Sequence, residues 1–187
     1  YPEITYELFE VNAAQLVELL NNGIIEVGII RASGSDYPTL SSALTLSEQM
    51  VAVYPRENPW LAPDLEKIPI SMLKDVPLSI SKGFRKILTN AFVKEGLTPS
   101  FFCVSTTRVA TLMWMEAGVA VAVVPSSLRY DYGKEGYCCC PVGDSPLSID
   151  RSFAYLKGRK LSAMAETFLD FSRNMFSEIN GLEQSDI

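Results

Sequence analysis

"FFCVSTTRVATLMWMEAGVAVAVVPSS", residues 101–127, decides how the chain folds. It opens with a short β-favouring run and passes through hydroxyl residues into a segment with helical spacing. Gly118 ends that helix, and six apolar residues, 119–124, lead to a proline and two serines. Six residues are far too few to cross a bilayer, and their β-branched content suits a strand buried on both faces of a parallel sheet. The whole stretch therefore reads as a βαβ unit with a right-handed crossover. Binding groups in such sheets lie just past the carboxyl ends of the strands.

The same alternation extends outward. Residues 4–9 alternate as a strand would, and "NAAQLVELLNNG" (12–23) turns to helical spacing through Leu16, Leu19 and Leu20. Asn12 and Gln15 have capping-box spacing, and Gly23 stands where a helix ends. "IIEVGIIR" (24–31) and "LTLSEQMVAVYP" (44–55) read as strands, separated by the polar loop 32–38. Past Pro55 the proline-rich "ENPWLAPDLEKIP" marks the start of a second unit. It is followed by a short helical turn, the strand "VPLSI" and the helix "SKGFRKILTNAFVKEG", closed by Gly96. "RSFAYLKG" returns to strand, and residues 161–179 form a long amphipathic helix before a frayed tail from residue 180.

The 187 residues are 48% apolar and 20% charged, enough for a sizeable core, and carry a net charge of −6. That charge, with no cluster of Lys and Arg, argues against a free-standing nucleic-acid binder. There is no histidine, which removes Ser-His and Cys-His catalysis. Glu10 and Glu116 have no second carboxylate at informative spacing, so no catalytic residue is assigned. Cys138, Cys139 and Cys140 are consecutive and Cys103 is remote, which matches neither a disulfide framework nor zinc spacing. A reducing cytoplasm, no metal and no cofactor are expected, and no segment reads as membrane-spanning.

The candidate site residues follow the strands: Asn12, Arg31, residues 79–84 and residues 105–107. Hydroxyl residues and glycine at helix starts favour an anion, through free backbone N–H groups and the helix dipole. Simple N-capping is the alternative reading of Ser81, Ser105 and Thr106. Arg31 ends an apolar strand and needs an anionic partner there, either an internal carboxylate or a ligand. Lys82 and Arg85 add positive potential or merely solvate a helix, and Phe84 walls a pocket or fills the core.

Taken in order, "YPEITYELFEVNAAQLVELLNNGIIEVGIIR", "MVAVYPRENPW", "PLSISKGFRKILTNAFVKEGLTP" and "STTRVATLMWMEAGVAVAVVPSS" resemble the effector-binding domain of LysR-type transcriptional regulators along nearly the whole chain. The resemblance implies an α/β, periplasmic-binding-protein-like fold of two Rossmann-like subdomains, 1–53 with 154–187 and 54–153. Two crossover strands near residues 50–55 and 153–157 would join them. It implies a small, anionic effector held between the subdomains by Asn12, Arg31, Ser81, Gly83, Phe84, Thr106 and Thr107. It further implies a homodimer or tetramer through antiparallel effector domains, using residues 14–22 and 107–117. DNA would be reached only through a winged helix-turn-helix lying outside these residues, and the domain's first strand and helix would also lie outside them. Val11 stands where the family usually has glycine. A transporter's solute-binding protein shares the architecture and is the alternative.

Overall fold

The computed structural model describes residues 3–31, 37–63, 65–128, 136–143 and 147–183. The chain divides into two compact units, Tyr1–Leu46 with Asp150–Ile187, and Ser47–Ile149. Strands β2 (Leu40–Pro55) and β7 (Ser148–Leu156) carry the chain from one unit to the other.

In the first unit, helix α1 (Ala13–Asn21) presents Leu16 and Leu20 to a small core with Ile30 and Ala154. Gly23 follows the helix at φ +70, a left-handed position that a side chain would strain, and so lets the chain turn back. Strand β1 (Gly28–Ile30) runs antiparallel to β7, with Ile29 opposite Phe153. Gly28 is needed there because a Cβ would lie 2.8 Å from the Leu16 side chain. The C-terminal helix α4 (Ala163–Glu183) lays Phe168 and Phe176 against Phe153, with ring centroids 6.2 and 5.9 Å apart. Ser162 caps α4 through the Ala165 amide and donates both its own N–H and its hydroxyl to Glu26. Those donors hold the Glu26 carboxyl below its usual range.

Two expectations for this unit are corrected. Residues 4–9 form no strand, and Tyr6, Leu8 and Phe9 are exposed. An alternating pattern becomes a strand only beside a neighbour that completes its ladder, and among the described residues nothing pairs with this segment. The tail from residue 180 was expected to fray, yet α4 continues to Glu183; residues 184–187 lie outside the described set, as do 32–36 of the polar loop.

In the second unit, β3 (Leu78–Ser81) lies between β5 (Val121–Pro125) and β4 (Phe101–Ser105), parallel to both. The βαβ unit read from residues 101–127 is present, and its crossover passes over β3. Strand β5 also pairs antiparallel with β2, whose other neighbour is β6 (Tyr137–Pro141). Both faces of β5 are covered. Val121 and Val123 join Leu78, Ile80, Leu88 and Phe92 of the larger core, which includes helix α2 (Arg85–Lys94). Ala122 and Val124 pack with Leu112 and Met115 of helix α3 (Arg108–Glu116). This two-sided burial is why the run carries no alternation.

The cysteine triplet occupies β6 and alternates across it. Cys138 and Cys140 enter the larger core, Cys139 packs on the other face, and none of the four cysteines is in a disulfide. The Cys140 thiol donates to the Leu65 carbonyl at 2.9 Å. The irregular stretch after Pro55 is organised by Asn58, whose side chain serves Pro55, Trp60 and Leu61 at 2.8–3.0 Å. Among the described residues no helix is long and apolar enough to cross a membrane.

Candidate functional site

The carboxyl ends of β3 and β4 are register partners, Ser81 opposite Ser105, so parallel pairing brings two hydroxyls from sequence-distant segments side by side. A third comes from α3. Thr111, fully buried, places its hydroxyl oxygen 3.1 Å from Ser81 Oγ and 2.7 Å from Ser105 Oγ. The Thr111 hydroxyl also donates to the Thr107 carbonyl at 3.1 Å, and Ser105 Oγ donates to the same carbonyl at 2.7 Å. Below them the buried Ser79 donates to the Thr111 carbonyl at 2.9 Å.

Capping explains only part of this set. Thr107 is the N-cap of α3 and accepts from the Ala110 amide at 3.2 Å. Ser81 stands at the N-cap position of a 3-10 turn, Lys82–Phe84, without making a side-chain cap, and Phe84 at the start of α2 makes none either. The turn runs directly into α2, where the Arg85 amide already donates to the Lys82 carbonyl, so a single helical start lies without a side-chain cap beside a rim of hydroxyls. Free backbone N–H groups at a helix start are donors that favour an anion. An added Cβ at Gly83 would meet nothing within 4 Å, so the backbone there is open to approach. Thr106 lies between β4 and α3, and Phe84 turns inward, 8% exposed, as a member of the larger core.

Ser81, Gly83, Phe84, Thr106 and Thr107 thus belong to the second unit, and Asn12 and Arg31 to the first. Asn12 forms the capping box anticipated from its spacing. Its Oδ1 accepts from the Gln15 amide at 3.1 Å, and Gln15 Oε1 accepts from the Asn12 side-chain and backbone nitrogens. Arg31 follows β1 directly and is exposed, so burial does not by itself demand an anion beside it. The sequence reading omitted Thr111. A threonine one turn beyond the cap, on the buried stripe with Leu112 and Met115, was its only signal.

This architecture is the one that the family comparison identifies. The family model described as "LysR substrate binding domain" matches residues 1–177. The chain belongs to that family. The resemblance drawn from the ordered segments is confirmed, and with it the α/β, periplasmic-binding-protein-like fold. Among curated proteins, an uncharacterized HTH-type transcriptional regulator, YcgK of Bacillus subtilis (strain 168), is 25% identical; the match covers 95% of this chain and 60% of YcgK. The chain thus spans under two thirds of that relative. Among solved structures, the effector-binding domain of QuiR in complex with shikimate matches with a TM-score of 0.73 at 18% identity, covering 91% of this chain and 80% of that one. The regulatory domain of CcmR from Synechocystis PCC6803 in complex with 2-PG gives 0.75 at 20% identity, covering 91% and 83%. Within this LysR domain, no group of three or more His, Cys, Asp or Glu side chains is arranged to hold a metal among the described residues.

Proposed function

We propose that this chain is the effector-sensing part of a cytoplasmic LysR-type transcriptional regulator, without catalytic activity of its own. It binds a small anion and relays occupancy to a DNA-binding segment of the longer protein. The observation that carries the reading is the helical start after Ser81, which has no side-chain cap, beside the Ser81, Ser105 and Thr107 hydroxyls. Gly83, Thr106 and the backbone of Phe84 complete this part of the site, and Asn12 and Arg31 are the contacts assigned to the first unit. The shikimate and 2-PG held by two solved relatives support an anionic ligand, and the family match favours a regulator over a transporter's solute-binding protein.

A thermal-shift panel of small carboxylates and phosphate esters tests this. A ligand at about a hundred times its Kd adds roughly 2.7 kcal/mol of stability, a shift of several degrees for a domain of this size. At least one compound is expected to do so, and Ser81→Ala and Gly83→Leu are each expected to abolish the shift. Gly83→Leu is informative because nothing in the free protein opposes the added side chain. A panel without a hit, or a hit indifferent to both substitutions, overturns the assignment.

The proposed partner in assembly is a second copy of the chain. The outer face of α3 exposes Val109, Met113 and Trp114, and Trp114 meets the exposed Phe102 edge-on at 5.3 Å. That apolar surface supports self-association. Sedimentation at concentrations above micromolar is expected to show a dimer or tetramer that Trp114→Glu dissociates. A monomeric wild type would sink the proposal.

A further inference from the structure

We propose that Thr111 is the positioning residue of the candidate site, and that its hydroxyl couples Ser81 and Ser105 to the first turn of α3. The proposal rests on the effector reading for the meaning of Ser81, but its geometry is independent of any ligand.

A hydroxyl carries one proton and accepts at two positions. Thr111 Oγ1 has three partners within reach: Ser81 Oγ, Ser105 Oγ and the Thr107 carbonyl. Ser105 Oγ shares two of these contacts, since it reaches both Thr111 Oγ1 and the Thr107 carbonyl at 2.7 Å. The carbonyl only accepts, so the protons have a limited set of orders. In one, Thr111 donates to the Thr107 carbonyl and accepts from both serines. The Ser81 proton then points inward, and Ser81 offers lone pairs to whatever approaches. In another, Ser105 donates to Thr111 and Thr111 donates to Ser81, and the Thr107 carbonyl keeps only the backbone amide. The Ser81 proton is then released outward, and Ser81 becomes a donor, the form that an anionic ligand selects.

The same exchange reaches the helix. The Thr107 carbonyl accepts the first backbone bond of α3, from the Thr111 amide, and at 3.4 Å that bond is long. Two hydroxyls share its acceptor. A ligand that draws the Ser81 proton outward therefore takes the hydroxyl donor away from the carbonyl at the entrance of α3. That helix carries Trp114 and Met113 on its exposed face, so the coupling runs from the proposed site toward the proposed self-association surface.

Amide hydrogen exchange on the ligand-free chain tests this. Thr111→Val keeps the side-chain shape and removes the hydroxyl. It is expected to speed exchange at the Thr111 and Leu112 amides about tenfold, the factor that one net hydrogen bond supplies. Leu88, Phe92 and Val123 should be unchanged. Thr111→Ser is expected to restore wild-type rates within about threefold. Ser81→Ala, on a strand 30 residues away in sequence, is expected to alter the same two amides, and to have no further effect on a Thr111→Val background. Unchanged exchange in α3, a rise that is uniform across α2 and β5, or additive effects of the two substitutions would each overturn the coupling. If Thr111→Val fails to fold, the Ser81→Ala result decides alone. Because no ligand enters this experiment, its failure leaves the effector reading intact, and failure of the ligand panel leaves the exchange result intact.

Discussion

Val123→Asp is expected to leave the second unit unfolded, and Val119→Asp, in the same apolar run, is expected to be tolerated. Val123 is fully buried in the middle of β5 and packs in the core with Ile80, Leu88 and Phe92. Losing its burial costs about 1.5–3 kcal/mol, and placing a carboxylate among the apolar side chains of that core costs several kcal/mol more. A domain stabilised by roughly 5–15 kcal/mol has little left after both. Val119 precedes the strand, just after Gly118 ends α3 at φ +70, and is 39% exposed. An aspartate there remains in water, and a change of about 0.5 kcal/mol or less is expected. Urea melts followed by tryptophan emission separate the two outcomes. A cooperative, wild-type-like transition for Val123→Asp would mean that β5 is not buried on both faces.

The contrast shows what the sequence makes legible and what it hides. Helices α1 and α3 could be read because helical spacing, a capping residue and a following glycine are all local signals, and α2 because it has the spacing and the glycine. Residues 4–9 carried an equally plain alternation, yet they form no strand, since a strand is defined by a neighbour and not by its own pattern. The cysteine triplet reads no more closely than a strand or loop near the domain edge, for the opposite reason. Its place in β6 depends on pairing with β2, whose Tyr54 stands opposite Cys138, more than eighty residues away. The site divides in the same way. Ser81, Ser105 and Thr107 follow predictable strands, but the Ser81 hydroxyl makes no cap, the alternative reading of that residue, and reaches Thr111. Nothing within α3 announces that contact. It exists only because β3 and β4 lie side by side with α3 packed against them.

Leu20→Ala is expected to be the most damaging conservative truncation in the first unit, at about 2–5 kcal/mol. Helix α1 has nine residues, too few to be stable alone in water, so it persists by docking. Leu20 is 1% exposed, and its buried neighbours are few: Leu16, Ile30 and Ala154. A core this small cannot collapse far to refill the space of a deleted leucine. The Leu16 side chain is already in close contact with Gly28, so filling the cavity from that side means moving β1. The helix also carries the Asn12 capping box at one end and leads through Gly23 into the segment that reaches Arg31. Loosening α1 therefore displaces both site residues assigned to this unit. Phe171→Ala is the control, because Phe171 lies on the outer side of α4 at 56% exposure and should change stability by only about 0.5 kcal/mol. Urea denaturation of the two variants gives the comparison, with equal slopes required for the midpoints to report stability. If Leu20→Ala melts with the Phe171→Ala protein, α1 is held by something other than its apolar face, and the packing described for the first unit is wrong.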